Sequence, residues 1–140
     1  MSKIAVVYWS GTGNTEAMAD LVANAAQSAG ATVDKMTSAE FNAADAANYD
    51  GFALGCPAMG AEQLEESEFE PMFSSVKGSL GGKKVALFGS YGWGDGEWMR
   101  SWEKDCDDAG IDLACESVIC QDEPDDAALA ACAALGEALK

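Results

Sequence analysis

Residues 10–15 form a short polar loop whose side chains could bind an anion. The loop follows an apolar run, Ile4–Trp9, and reads Ser-Gly-Thr-Gly-Asn-Thr. Its hydroxyl and amide donors are Ser10, Thr12, Asn14 and Thr15, and its glycines, which let backbone N–H groups turn inward, are Gly11 and Gly13. A helix predicted to begin near Thr15 would add the partial positive charge of its N-terminus. These features suit a phosphate dianion, although a Gly-Asn turn with a threonine cap explains the same residues.

The loop contains no lysine or arginine, and the whole chain has no histidine. Phosphoryl transfer needs cations where charge develops in the transition state. The sequence therefore favours a phosphate that is held without reacting, as in an anchored cofactor. The loop also lacks the Gly-Lys-Ser/Thr of a P-loop, and Glu16 occupies the third glycine position of a dinucleotide fingerprint.

A second loop, residues 56–62, follows another apolar run and could lie against a flat ligand. Met59 offers a soft apolar side chain, and Gly60 permits the peptide that follows it to flip. Glu62 could accept hydrogen bonds from a ligand N–H. A tight turn with Met59 in the core explains the same residues.

A third loop, residues 90–97, places Trp93 between Gly92 and Gly94, close to Tyr91. A tryptophan flanked by glycines cannot be packed by its sequence neighbours, so it is free to cover a flat surface. The alternative is a surface aromatic residue within a turn.

The three loops follow predicted strands in a chain where strands and helices alternate. The predicted strands are Ile4–Trp9, Thr32–Met36, Gly51–Gly55, Lys84–Gly89 and Leu113–Cys120. The predicted helices are Thr15–Ala29, Glu66–Val76, Trp98–Ala109 and Asp125–Leu139, with Asp125 as the cap of the last and a short helix within Ala39–Ala47. Since the central strands are continuously apolar, we predict an α/β fold with a parallel sheet covered by helices on both faces. Ligands bind at the carboxyl ends of such strands, so residues 121–124 are a further candidate.

Composition limits the classes of partner. The chain has 140 residues, 49% of them hydrophobic, which predicts a single domain, residues 1–140. Eight basic against 24 acidic residues give a net charge of −16, which disfavours nucleic acid and membrane surfaces and favours a basic protein partner. Solubility alone explains the same charge.

The redox state of the cysteines and the start of the chain indicate a compartment. The chain has five cysteines and no Cys-x-x-Cys, which favours reduced thiols over a disulfide framework or an iron–sulfur cluster. No signal peptide precedes the first strand, and no apolar stretch is long enough to span a bilayer. A cytoplasmic location is therefore expected.

The three loops together resemble the short-chain flavodoxins of anaerobic bacteria. The resemblance rests on Tyr8–Thr15, Gly55–Gly60 and Gly89–Gly94, and it covers nearly the whole chain. It implies a doubly wound, five-stranded parallel sheet of order 2-1-3-4-5 with FMN at the switch point. It also implies a monomeric, low-potential one-electron carrier, not an enzyme with its own substrate. Its partners would be transient basic redox proteins, such as ferredoxin-type reductases or oxidoreductases.

The same resemblance implies roles at the FMN phosphate. Ser10, Thr12, Asn14 and Thr15 would hold the phosphate, with the indole N–H of Trp9 as a further donor. Position 57 is proline where some relatives have a serine hydroxyl, so no phosphate contact is assigned there.

Further roles are implied around the flavin ring. Met59 would flank the inner face of the isoalloxazine and Trp93 the outer face, while Glu62 would accept from N3–H. The Gly60 carbonyl would turn towards N5–H in the semiquinone, and Asp122 would lie near the ribityl hydroxyls. Backbone N–H groups near Gly92 and Trp93 would approach the pyrimidine edge. The complete set of cofactor-binding residues is Trp9, Ser10, Gly11, Thr12, Gly13, Asn14, Thr15, Ala58, Met59, Gly60, Ala61, Glu62, Ser90, Tyr91, Gly92, Trp93, Gly94 and Asp122, with no catalytic or metal-binding residue.

Three other functions use the same residues differently. An FMN-dependent reductase would need room for a substrate beside the ring, where Trp93 is expected to lie. A phosphatase would need an activated nucleophile, and Cys56 lacks an arginine-bearing phosphate loop. A flavin-binding regulatory module would leave the potentials near those of free FMN.

Overall fold

Five parallel strands form one sheet in the computed structural model, which describes residues 3–11, 13–59, 63–92 and 96–139. The strands are β1 (Lys3–Tyr8), β2 (Thr32–Thr37), β3 (Gly51–Gly55), β4 (Lys84–Tyr91) and β5 (Val118–Gln121). Their order is β2-β1-β3-β4-β5, and each neighbouring pair is parallel. The implied strand order is therefore confirmed, with the switch point between β1 and β3.

Helices cover both faces of this sheet, as the alternating pattern predicts. They are α1 (Asn14–Ser28), α2 (Ala43–Ala46), α3 (Phe69–Val76), α4 (Glu97–Asp108) and α5 (Asp126–Leu139), with 3₁₀ turns at Ser38–Glu40 and Lys77–Ser79. The predicted cap of the last helix is confirmed, because Asp125 Oδ1 accepts the N–H of Ala128 at 2.8 Å. Within the described ranges, no helix is both long and apolar enough to cross a bilayer.

The core has two layers because the central strands are buried on both faces. Phe52 and Leu54 of β3 lie in the layer beneath α3 and α4, whereas Ala53 lies in the layer beneath α1 and α5. All three side chains are fully buried. This arrangement accounts for the continuous apolar run in the sequence.

The strand predicted over Leu113–Cys120 is wrong in its extent. Leu113 makes only an isolated bridge to Val85, and regular pairing resumes with Val118 opposite Phe88. The stretch from Leu113 to Val118 is longer than the stretch of β4 that it runs beside, Val85 to Phe88. Its extra residues therefore leave the sheet. Ser117, at the end of this excursion, donates its hydroxyl to Glu103 Oε2 at 2.7 Å.

Candidate functional site

Ser10 organises the loop that follows β1. Its Oγ accepts the N–H of Gly13 at 3.1 Å and the N–H of Glu16 at 3.3 Å. Gly13 has φ 95°, a left-handed conformation that favours glycine, and it precedes the first residue of α1. Because both bonds use lone pairs of the hydroxyl, its hydrogen remains available to donate to an anion.

The N-terminus of α1 faces the same loop. The first N–H groups of any helix lack intrahelical acceptors. The side chain of Ser10 accepts the N–H of Glu16. The N–H groups of Asn14 and Thr15 have no acceptor among the described residues. The Thr15 hydroxyl is buried and lies 3.1 Å from Ser90 Oγ, which ties the start of α1 to β4. The backbone at Asn14 and Thr15 can therefore bind a phosphate, while the contact expected of the Thr15 hydroxyl stays a prediction.

A cavity of about 220 Å³ adjoins this loop at the carboxyl ends of the strands. Its walls are formed by Trp9, Gly11, Asn14, Pro57, Ala58, Met59, Ser90, Tyr91, Gly92 and Asp122. All of these except Pro57 belong to the predicted set. Four segments that are distant in sequence thus meet at one cavity.

The other predicted residues fall into two groups. Ser10, Gly13 and Thr15 lie beside the cavity through the hydrogen bonds described above. The remaining predictions lie outside the described residues: Thr12, Gly60, Ala61, Glu62, Trp93 and Gly94. Their roles stay predictions.

Asp122 reaches the cavity because the turn after β5 is bonded to the end of β4. Its N–H donates to the Tyr91 carbonyl at 2.7 Å, and Gln121 Nε2 donates to the Gly92 carbonyl at 3.4 Å. Asp122 has φ 57°, an uncommon backbone conformation for a residue other than glycine. A side chain added at Gly92 would lie 3.7 Å from Asp122 Oδ1. The carboxylate is therefore placed to accept from hydroxyl groups of a ligand.

The second loop runs alongside β4 and is closed at its far end. Cys56 donates its N–H to Phe88, and Ala58 donates its own to Ser90, at 3.1 and 3.0 Å. Met59 and Gln63 exchange two backbone hydrogen bonds of 2.9 and 3.1 Å. Met59 is therefore held on both sides as it forms part of the cavity wall. Gln63 could not be assigned a role from the sequence, because its pairing with Met59 appears only in the folded chain.

Glu65 fixes the segment that follows this loop. Its side chain is only 6% exposed and accepts the N–H groups of Ser67, Glu68 and Phe69 at 2.7–2.9 Å, together with the Ser67 hydroxyl. Burial opposes its charge, but these hydrogen bonds hold the pKa of the carboxyl at about 2. Glu65 therefore fixes the turn before α3 and accepts the N–H of its first residue, Phe69, so the helix begins there and not at the predicted Glu66.

The charges at the site suit binding better than nucleophilic catalysis. The cavity walls carry no lysine or arginine side chain among the residues that the structure describes. Cys56 is fully buried, and burial raises the pKa of its thiol to about 12, so it is no activated nucleophile. In the described part of the chain, no cluster of three or more His, Cys, Asp or Glu side chains could hold a metal ion.

A larger groove of about 800 Å³ lies between β5 and α5. Among the described residues the two share Tyr91 alone, and the groove contains neither the polar loop after β1 nor the N-terminus of α1. We therefore assign the site to the smaller cavity, where donors from several loops converge.

Comparisons with known proteins identify the family of the chain. The model of the Flavodoxin family matches residues 6–136. The chain belongs to the flavodoxin family. It is 47% identical to the flavodoxin of Megasphaera elsdenii over 135 residues, 96% of each chain. It is 49% identical to that of Clostridium beijerinckii over 122 residues, 87% of this chain and 88% of the relative.

A solved structure shares the fold of this chain. The solution structure of two-electron reduced Megasphaera elsdenii flavodoxin superposes with a TM-score of 0.89 at 48% identity, covering 97% of each chain. Flavodoxins carry electrons and hold FMN at the β1/β3 switch point, so FMN is the cofactor of this chain. The residues present suit this cofactor, because the loop after β1 offers uncharged donors that suit a phosphate, while Met59 and Tyr91 give the cavity apolar surface.

Proposed function

We propose that this chain is a low-potential one-electron carrier that holds FMN non-covalently, cycles mainly between semiquinone and hydroquinone, and docks basic redox proteins through an acidic face. FMN supplies the one-electron chemistry, while the chain binds it and sets its potentials. One domain spanning residues 1–140, a monomeric state and a cytoplasmic location belong to the same proposal. The observation that carries it is the convergence of the cation-free phosphate loop, Met59, Tyr91 and Asp122 on one cavity.

The chain's own residues divide the work of binding. Ser10 and the N–H groups at the start of α1 hold the phosphate, and Asp122 accepts from the ribityl hydroxyls. Met59 packs on the inner face of the ring. We extend the binding set to Thr12, Glu62 and Trp93 from the family resemblance, with Gly60 as the acceptor for N5–H.

The strong negative charge supports a low second potential. Bound FMN would accept two electrons in succession, and the negative charge left by the second would face the acidic side chains of this chain. A net hydrogen bond to N5–H, worth about 1 kcal/mol, would raise the first potential. A carboxylate ~10 Å from the flavin, at an effective dielectric constant of ~40, would disfavour the negative charge of the fully reduced flavin by about 0.8 kcal/mol before screening by salt. The two potentials therefore separate, as a one-electron carrier requires.

Acidic side chains near the cavity support docking to a basic partner. Glu68 lines a depression beside Trp9 and Ser10, and Glu123 follows Asp122 on the other side of the site. A separate groove nearby is lined by Glu66, Glu70 and Asp105. A basic protein would be steered towards this end of the sheet, where FMN lies.

Ser10→Ala tests the phosphate anchor. We expect FMN affinity to fall roughly tenfold to a hundredfold, because a hydrogen bond to a charged group contributes about 1.5–3 kcal/mol. Riboflavin, which lacks the phosphate, should bind the variant and the wild type equally. Flavin fluorescence quenching measures both affinities.

Ser28→Ala, at the other end of α1, is the matched control and should leave both affinities unchanged. Equal losses for FMN and riboflavin in Ser10→Ala would contradict a phosphate role and indicate a general disturbance of the loop.

A second variant tests the acidic docking face. Glu68→Gln combined with Glu123→Gln should slow electron transfer to cytochrome c, a basic redox probe, about threefold at low salt, because two steering charges near FMN are lost. Stopped-flow kinetics at increasing ionic strength should show that the electron-transfer rates of the double variant and the wild type converge.

The control removes the same charge elsewhere. Asp112→Asn combined with Glu137→Gln neutralises carboxylates distant from the cavity and should slow the reaction less. Equal effects of the two double variants would mean that net charge, and not a docking face, governs the rate.

An FMN-dependent reductase of the same fold is the main competing function. It predicts steady turnover with NADPH and a quinone, whereas the proposed carrier predicts none above the rate of free FMN.

A further inference from the structure

Trp98 links helix α4 to the base of the loop that carries Met59. It is the second residue of α4, only 1% exposed, and its Nε1 donates to the Cys56 carbonyl at 3.1 Å in a buried hydrogen bond. Its ring also packs against Tyr91, with 5.4 Å between the centroids. The Trp98 side chain thus contacts Tyr91, which lines the cavity, and Cys56, which directly precedes the cavity residue Pro57.

Cys56 is the point at which these segments meet. Its N–H donates to Phe88 of β4, and its Sγ accepts the N–H of Glu65 at 3.4 Å. A side chain added at Gly89 would lie 2.2 Å from the Cys56 carbonyl oxygen and 3.3 Å from the Trp98 ring. The carbonyl therefore lies directly against β4, with Trp98 as its side-chain donor.

We propose that Trp98 is a positioning residue for the flavin: its indole N–H fixes the Cys56 carbonyl and thereby the placement of Pro57–Met59 against the ring. This inference rests on the proposed function, since the ring is that of FMN. Without the indole N–H, a buried carbonyl would lack this donor, and the segment would shift to find another. FMN would bind less tightly against a displaced Met59, and the spacing between its two one-electron potentials would shrink.

Trp102 provides a matched control on the same helix. It is 2% exposed, but its Nε1 has no hydrogen-bond partner in the described part of the chain. It packs edge-on against Phe69 and Phe73, away from the cavity wall. Trp→Phe at either position removes similar apolar volume, whereas only the change at Trp98 removes a hydrogen bond to the loop.

The test compares Trp98→Phe and Trp102→Phe as FMN-loaded proteins. For Trp98→Phe we expect FMN affinity to fall about tenfold. We also expect the semiquinone formation constant, which reports the spacing between the two one-electron potentials, to fall at least threefold. That fall corresponds to a decrease of about 30 mV in the spacing. For Trp102→Phe both quantities should stay within twofold. Fluorescence titration and anaerobic redox titration measure them, and urea unfolding reports stability separately.

A shape-preserving replacement keeps the proposal testable if Trp98→Phe folds poorly. Benzothienylalanine at position 98 retains the ring size and lacks the N–H, so it should reproduce both changes in FMN affinity and potential spacing. Unchanged values in this protein, or equal effects at positions 98 and 102, would overturn the positioning role. Failure of the wild type to bind FMN would instead overturn the proposed function.

Discussion

Gly89→Ala is expected to destabilise the protein by about 3 kcal/mol, at the upper end of what overpacking costs, and to abolish tight FMN binding in the molecules that remain folded. The added Cβ would lie 2.2 Å from the Cys56 carbonyl oxygen and 3.0 Å from the carbonyl carbon. Both are backbone atoms of the residue that follows β3, so neither can move aside as a flexible side chain would. Relief of the clash must separate β3 from β4 at the point where the second loop begins. Urea unfolding and FMN titration measure the two effects.

Gly78→Ala is the control for Gly89→Ala. A Cβ at Gly78 meets no neighbour within 4 Å, and its φ lies outside the left-handed region. We expect a change of no more than about 0.5–1 kcal/mol there. A Gly89→Ala protein with wild-type stability and FMN affinity would show that the Cys56 carbonyl is not held against β4.

Glu65→Gln is expected to lower the free energy of unfolding by about 2 kcal/mol at pH 7. The amide is neutral and has only one acceptor oxygen, so it cannot replace a buried carboxylate that caps three N–H groups. The folded-state pKa, about 2, is below the unfolded value of about 4.3, so the carboxylate contributes its full stability above that unfolded value. This contribution is lost as the pH falls from about 4.5 towards 2.

The measurement is urea unfolding of wild type and variant at pH 7, 5 and 3. The stability difference should be constant between pH 7 and 5 and should shrink at pH 3. Glu137→Gln, an exposed carboxylate near the end of α5, should show little difference at any pH. A difference for Glu65→Gln that stays constant down to pH 3 would contradict a carboxylate cap.

The sequence predicted the central strands because burial on both faces produces a continuous apolar run. Gly51–Gly55 is strand β3 with the predicted bounds. Val118–Gln121 was predicted less well, because Leu113 and the residues after it are apolar enough for a strand but pair with β4 only in part. Edge strands are set by such pairing, which local composition does not encode.

The candidate site was predictable where its residues are clustered in loops. Nine of the ten residues that form the cavity walls belong to the predicted set, and Pro57 is the exception. The strand pattern made residues 121–124 a candidate, but the ribityl role of Asp122 was assigned only through the family resemblance, since its place beside Gly92 depends on pairing between β4 and β5. The contact of Trp98 with Cys56 could not be predicted, because it joins residues 42 positions apart through one side chain.

An anaerobic photometric titration of the purified protein tests the central claim most directly. The account predicts that the protein takes up FMN, turns yellow and passes through a blue neutral semiquinone before it bleaches. It also predicts a second potential well below that of free FMN. A colourless protein that does not take up added FMN would contradict the account, as would a bound flavin that is reduced in one two-electron step at the potential of free FMN.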